Sequence, residues 1–201
     1  MANPGKRAAR YVLILDFEAT CGPNVPNSEQ EVIEFPIVVV DTLERRIVSE
    51  FRSFVRPLLH PILDGFCTDL TGITQDQVSG DSVPTLQEIL PRAAEFVESF
   101  IARDRNAFIV TCGDWDLRTQ LPSQAARECL EVPPCLRRYV NLKRDFAKLY
   151  QRKRLQCFKS MMMSLGLTIQ GRHHSGIDDC RNMARIVLRM LDDGHVFRYK
   201  Q

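Results

Sequence analysis

Tyr11-Val12-Leu13-Ile14-Leu15-Asp16-Phe17 is the stretch that decides the fold, because an unbroken apolar run ends abruptly on an acid. A run this short and apolar at every position reads as a strand buried on both faces, hence central in a sheet. Glu31–Asp41 and Arg46–Arg56 are two further β-rich segments, and the short Thr42–Arg45 connection makes them an antiparallel pair. Pro57–Pro84, broken by Pro57, Pro61, Gly65, Gly72, Gly80 and Pro84, is expected to be irregular. Thr85–Ala102 carries Leu86, Ile89, Leu90, Ala93, Phe96 and Val97 at helical spacing. Ala107–Cys112 reads as another buried strand, Trp115–Arg127 as a helix and Arg138–Leu142 as a short strand. Helices over Lys143–Tyr150, Leu155–Leu165 and Ile177–Leu191 follow, the last ahead of a stop at Gly194. Three strands and then alternating helix and strand predict an α/β fold with a mixed central sheet of about five strands flanked by helices.

With 201 residues, 44% hydrophobic and 26% charged, the chain can bury its own core, and its composition excludes collagen, a coiled coil and a disordered tail. No apolar run approaches the ~18 residues of a membrane span. Met1–Arg10 is polar and basic, without the apolar centre of a secretory signal. An intracellular protein, cytoplasmic or nuclear and with no membrane partner, is therefore expected. Lacking repeats and linkers, the chain is read as one domain over residues 11–195, between a polar extension (1–10) and a short tail (196–201). The seven cysteines contain no CxxC pair, and no His or Cys completes a zinc set around Cys129 and Cys135. They are read as buried small apolar residues without disulfides. No GxGxxG follows the first strand and no GxxxxGK[ST] exists, which leaves dinucleotide and P-loop chemistry unsupported. The net charge of +2 says little, but between Arg137 and Lys159 nine basic residues face Asp145 alone. That stretch is either a solvated helical face or a patch for a polyanion.

The acids carry the chemistry. Asp16 and Glu18 are two apart at the end of the most apolar strand, so they share a face while Phe17 takes the other. Two carboxylates side by side repel unless a cation lies between them, the alternative being a strand end entering solvent. Asp116 follows the Ala107–Cys112 strand through Gly113-Asp114-Trp115, where α/β sheets place ligands. Asp114 is the better N-cap there, and Cys112 and Trp115 read as packing residues. Asp179 shares a helical face with Met183, Ile186, Val187 and Met190, whereas Asp178 lies off it. A histidine of the preceding His173-His174 pair can reach the same site as a base, and His60 and His195 read as structural. Four acids and a His suit two Mg²⁺ ions ~4 Å apart, with Mn²⁺ as a substitute. Such a pair activates water against a phosphodiester and stabilises the leaving 3′ oxygen.

Leu15-Asp16-Phe17-Glu18-Ala19-Thr20, Asp114-Trp115-Asp116-Leu117 and His174-Ser175-Gly176-Ile177-Asp178-Asp179 resemble the three motifs of the DEDDh 3′-to-5′ exonuclease superfamily. Leu70-Thr71-Gly72-Ile73-Thr74-Gln75-Asp76-Gln77-Val78 and Tyr139-Val140-Asn141-Leu142 are similar to its ERI-type exoribonuclease branch. The resemblance covers about Tyr11–Leu191. It implies an RNase H-like fold, Asp16, Glu18, Asp116 and Asp179 as metal ligands, and His174, five positions before the last Asp, as general base. It implies further that Ala19 and Thr20 contact the terminal nucleotide and that Leu70 and Thr71 wedge against its base. The implied partner is a nucleic acid with a free 3′ end, RNA favoured. With only Met1–Arg10 before the first strand, no added recognition module is expected, leaving substrate choice to the cleft, the basic segment or a protein partner. The rival readings are a non-catalytic RNA- or protein-binding module on the same fold and a DNA proofreading nuclease.

Overall fold

The computed structural model describes residues 7–199; residues 1–6 of the polar extension and residues 200–201 of the tail lie outside the described residues. Six strand segments form one mixed sheet: β1 (Tyr11–Leu15), β2 (Glu18–Ala19), β3 (Val32–Asp41), β4 (Arg46–Phe54), β5 (Phe108–Thr111) and β6 (Tyr139–Asn141). β1 is central, antiparallel to β3 and parallel to β5, with β6 parallel beyond β5 and β4 antiparallel outside β3. The segments number six rather than about five because β1 breaks and resumes as β2. Leu15 faces Ile37 and Glu18 faces Glu34, one continuous register on β3. Opposite the break in that register stands Pro36, which has no N–H to offer a ladder.

Period-two alternation splits the apolar strands between two layers. Leu13, Leu15, Phe17 and Ile37 pack against α2 (Leu86–Arg103) and Leu117, Leu121 and Leu136. Val12, Ile14, Val38 and Val110 pack against α4 (Leu142–Leu149), α5 (Phe158–Ser164) and α6 (Gly176–Asp192). On the buried face of α6, Met183, Ile186, Val187 and Met190 have no exposure, at about 1.5–3 kcal/mol of burial each. Packing continues past residues 11–195 at both ends: Ala9 and Phe197 are buried in the second layer and share a backbone hydrogen bond of 3.0 Å.

Several local expectations need correction. Pro57–Pro84 is not irregular throughout: it holds α1 (Gly65–Thr71), capped by the Asp64 carboxylate, and a 3₁₀ turn over Gln75–Val78. Gly72, at φ 75°, stops α1 before an apolar period can develop. The helix expected over Trp115–Arg127 is a single π turn, Trp115–Gln120, running into α3 (Leu121–Arg127). Asp114 makes no side-chain cap. Its carboxylate instead accepts from Tyr139 Oη at 3.1 Å and Arg144 Nη2 at 2.6 Å. Trp115 is exposed, and of the seven cysteines only Cys67, Cys135 and Cys180 are buried; all seven are free thiols.

Candidate active site

The break between β1 and β2 is where the acids meet. Phe17 turns into the first core layer, its ring 4.6 Å from that of Phe35, so Asp16 and Glu18 are presented together on the opposite side. The lost ladder bond is replaced: Phe17 N–H donates to Asp116 Oδ1 at 2.9 Å, tying the π turn after β5 to the end of β1. Asp179 arrives from the first turn of α6. Carboxylate oxygens of Asp16, Glu18 and Asp179 all lie within 4.8 Å of one another.

Helix α6 enters this break closely. A Cβ on Gly176 would stand 2.7 Å from the Asp16 carbonyl oxygen and 3.0 Å from Pro36, so only glycine fits there. Its N-terminus is capped not by Ser175 but by Glu34. That fully buried carboxylate accepts from Gly176 N–H at 2.9 Å and Ile177 N–H at 3.2 Å, and pairs with Arg52 Nε at 2.7 Å. Glu34 had no motif to mark it. An acid inside an otherwise apolar strand was its one signal.

Asp179 also serves the histidines. His173 Nδ1 lies 3.0 Å from Asp179 Oδ2, and the His174 backbone N–H donates to the same oxygen at 2.9 Å. The His174 ring stacks on His173 with centroids 3.8 Å apart, and its backbone is left-handed at φ 66°. A non-glycine residue in that region is strained, and such strain gathers at functional sites. No side-chain hydrogen bond engages the His174 ring among the described residues, in contrast to His173. Burial, with His173 beside it, lowers the His174 pKa below its usual value.

The electrostatics are those of acids with too little compensation. Burial first, and then Asp116 and Asp179, drive Asp16 well above the usual carboxylate range. Glu18 is pushed up to about 10, chiefly by burial and then by Asp16. Burial raises Asp116 to about 6, opposed by the Phe17 N–H. No donor among the described residues hydrogen-bonds either Asp16 or Glu18. Clustered carboxylate oxygens without donors form a hard-ligand set suited to a divalent cation.

These acids open into a concavity of about 410 Å³ lined by Asp16, Glu18, Asp179, His173 and His174, and also by Cys112, Lys143, Cys157, Phe158 and Lys159. Phe158, stacked on His173 at 5.4 Å, escaped the sequence reading because an aromatic at a helix start looks like core. Lys143 and Lys159 were visible only as members of a basic run. The expected nucleotide contacts stand apart from this lining. Ala19 and Thr20 are buried beyond Glu18, and the Thr20 hydroxyl accepts from Glu31 N–H. Leu70 and Thr71 end α1, and the Thr71 hydroxyl donates to the Cys67 carbonyl. The Cys67 thiol, 3.6 Å from the Ala19 carbonyl, joins α1 to β2.

Comparison with known proteins gives the family. The family model described as Exonuclease matches residues 13–187. ERI1 exoribonuclease 3 of Bos taurus is 39% identical over 98% of this chain and 58% of its own length. Human 3′-5′ exoribonuclease 1 is 36% identical over 95% of this chain and 55% of its own length. The chain thus spans little more than half of either relative. The nuclease domain of 3′hExo, described as a DEDDh family member bound to rAMP, superposes with a TM-score of 0.82 at 34% identity, covering 96% of this chain and 97% of that one. The match runs from β1 through the first turns of α6 and takes in all four acids and both histidines: the chain belongs to the RNase T exonuclease family.

Proposed function

We propose that this chain is a metal-dependent 3′-to-5′ exoribonuclease that releases nucleoside monophosphates from a free RNA 3′ end. The observation that carries the reading is the convergence of Asp16, Glu18 and Asp179 within 4.8 Å, with Asp116 tied to the same strand break. Asp16, Glu18, Asp116 and Asp179 would hold two Mg²⁺ ions, which Mn²⁺ could replace. Bound there, these ions would supply activation of the attacking water and stabilisation of the departing 3′ oxygen.

The chain's own groups do the rest. His174, lining the cavity with its ring nitrogens uncommitted, takes the proton of the attacking water. His173 is held by Asp179 and keeps the stacked ring of His174 over the acids. Lys143 and Lys159 line the same cavity and favour entry of an anionic phosphodiester. Ala19 at the end of β2 and Thr20 just beyond it, with Leu70 and Thr71 on α1, wall the terminal nucleotide through apolar and backbone surface. The substrate reading is supported by the relatives named as exoribonucleases and by the rAMP held in the matching nuclease domain.

A time course with 5′-labelled single-stranded RNA and matched DNA, with Mg²⁺ and with EDTA, tests it. The expected result is a metal-dependent ladder that shortens from the 3′ end, faster on RNA. A faster DNA ladder would move the substrate to DNA, and binding without cleavage in either metal would make the chain a binding module.

A further inference from the structure

A second concavity, also of about 410 Å³, opens beside the acidic one, and its walls carry Arg118, Arg137, Arg144 and Arg198. Its size falls in the range of ligand sites. The two linings are neighbours at the start of α4: Lys143 lines the acidic cavity and the next residue, Arg144, lines this one. They are neighbours again after β5, where Cys112 lines the first and Asp114 the second.

The acids in this second wall are already spent. Asp114 is saturated by Tyr139 Oη and Arg144 Nη2, which fixes the Arg144 guanidinium in the wall. Asp145 faces His195 Nε2 at 3.2 Å. Arg137 donates to the Val132 carbonyl and stands 3.8 Å from Glu131 at its edge. Arg118 and Arg198, both exposed, have no acidic partner among the described residues. Arg118 comes from the π turn and Arg198 from beyond α6, so neither belongs to the basic run between Arg137 and Lys159. The fold adds them to it. Forked guanidinium groups left unpaired around a concavity match phosphate oxygens, which they bind bidentately.

We propose that this arginine cavity is a subsite for the phosphodiester backbone of the RNA strand upstream of its 3′-terminal nucleotide. The assignment rests on the RNA-end reading above and extends it: the strand leaves the acidic cleft across the Lys143–Arg144 step and is gripped there without regard to sequence. Tyr139 and Tyr199 in the same wall add flat surfaces for upstream bases.

Anisotropy of a labelled single-stranded RNA decamer in EDTA, across a salt series, separates this subsite from catalysis. For Arg118→Ala/Arg198→Ala, affinity is expected to fall roughly tenfold, and the log–log salt slope by about 1.4, at ~0.7 per single-strand phosphate. Turnover of a dinucleotide in Mg²⁺ should stay unchanged, as should the melting temperature, since both side chains are exposed. Arg118→Lys/Arg198→Lys should restore the salt slope while recovering only part of the affinity. Unaltered decamer affinity and slope in the alanine variant would overturn the subsite. So would an equal loss on decamer and dinucleotide, because the arginines would then act at the terminal nucleotide. If neither protein cleaves the dinucleotide, the exonuclease reading fails, while decamer binding still decides this one.

Discussion

Glu18 and Glu34 face each other across the β2–β3 pairing, both buried, and they have opposite environments. Glu34 is saturated: two backbone N–H groups of α6 and the Arg52 guanidinium surround it. Glu18 has no donor among the described residues, and burial first, then Asp16, Glu34, Asp179 and Asp116, raise its pKa to about 10. The same contrast recurs nearby. Glu31 accepts from the backbone N–H groups of Leu58, Leu59 and His60, whereas Asp16 accepts from none of the described residues. A buried carboxylate with its donors in place stabilises the fold. One buried among other carboxylates destabilises it and is kept for a cation that the folding chain does not supply.

Neutralising one acid of each kind breaks the comparison most sharply. Glu18→Gln is expected to lower RNA turnover roughly a thousandfold, the several kcal/mol of a lost metal ligand. In EDTA at pH 8 the same variant should melt about 5 °C higher than the parent, because the folded glutamate must hold a proton that the unfolded one releases, whereas glutamine is buried neutral without that cost. Glu34→Gln should do the reverse to stability. It leaves Arg52 without its charge partner and weakens the cap of α6, at about 3 kcal/mol or roughly 9 °C. Melting curves of the two variants in chelator check both signs at once, and destabilisation by both would end the distinction.

The pH dependence sharpens it. The folded pKa of Glu18, about 10, lies above the ordinary glutamate value of about 4.3. The folded chain therefore holds a proton that the unfolded chain releases. In EDTA its contribution to stability falls as pH rises from about 4.5 and levels off only near 10. Asp116, raised to about 6, adds to the fall between about pH 4 and 6. Mg²⁺ displaces those protons, so its stabilising increment should grow with pH, to a few degrees at millimolar metal and pH 8. Scanning calorimetry with and without metal at pH 5, 6.5 and 8 measures it, and an increment that is flat or falls with pH would contradict the acidic-site account.

Which parts of this were legible follows from how local their signals are. The buried strand, the alternation that pairs Asp16 with Glu18, and the periodic face that selects Asp179 all repeat within a few residues, and the structure keeps each of them. The break at β1–β2 was not legible, because Pro36 opposes it only once strand register is known. Glu34 as the cap of α6 depends on a contact 142 residues apart. Asp114 illustrates the limit from the other side. Its position suits a cap, but Tyr139 and Arg144, distant in sequence, compete for its carboxylate and win. The basic run was legible as charge, yet its partition between two cavities, joined by Arg118 and Arg198, is a property of the fold alone.

The same accounting extends to hydroxyls and yields the smallest expected effect. Thr71 Oγ1 donates to the Cys67 carbonyl at 2.9 Å and accepts from Ile73 N–H at 3.1 Å, both within α1 and its exit. Like Glu34, it is satisfied internally, so any contact it makes with a terminal nucleotide must come from its methyl or backbone. Leu70, half-buried beside it, has no polar group to satisfy and offers apolar surface alone. Thr71→Val should therefore cost about 1 kcal/mol of stability and leave KM for a short RNA within about twofold. Leu70→Ala should raise that KM several-fold, with kcat little changed, as expected when uniform binding is lost. A large rise in KM for Thr71→Val at unchanged melting temperature would mean that its hydroxyl leaves Cys67 for the substrate, and that donors already satisfied in this fold remain available to RNA.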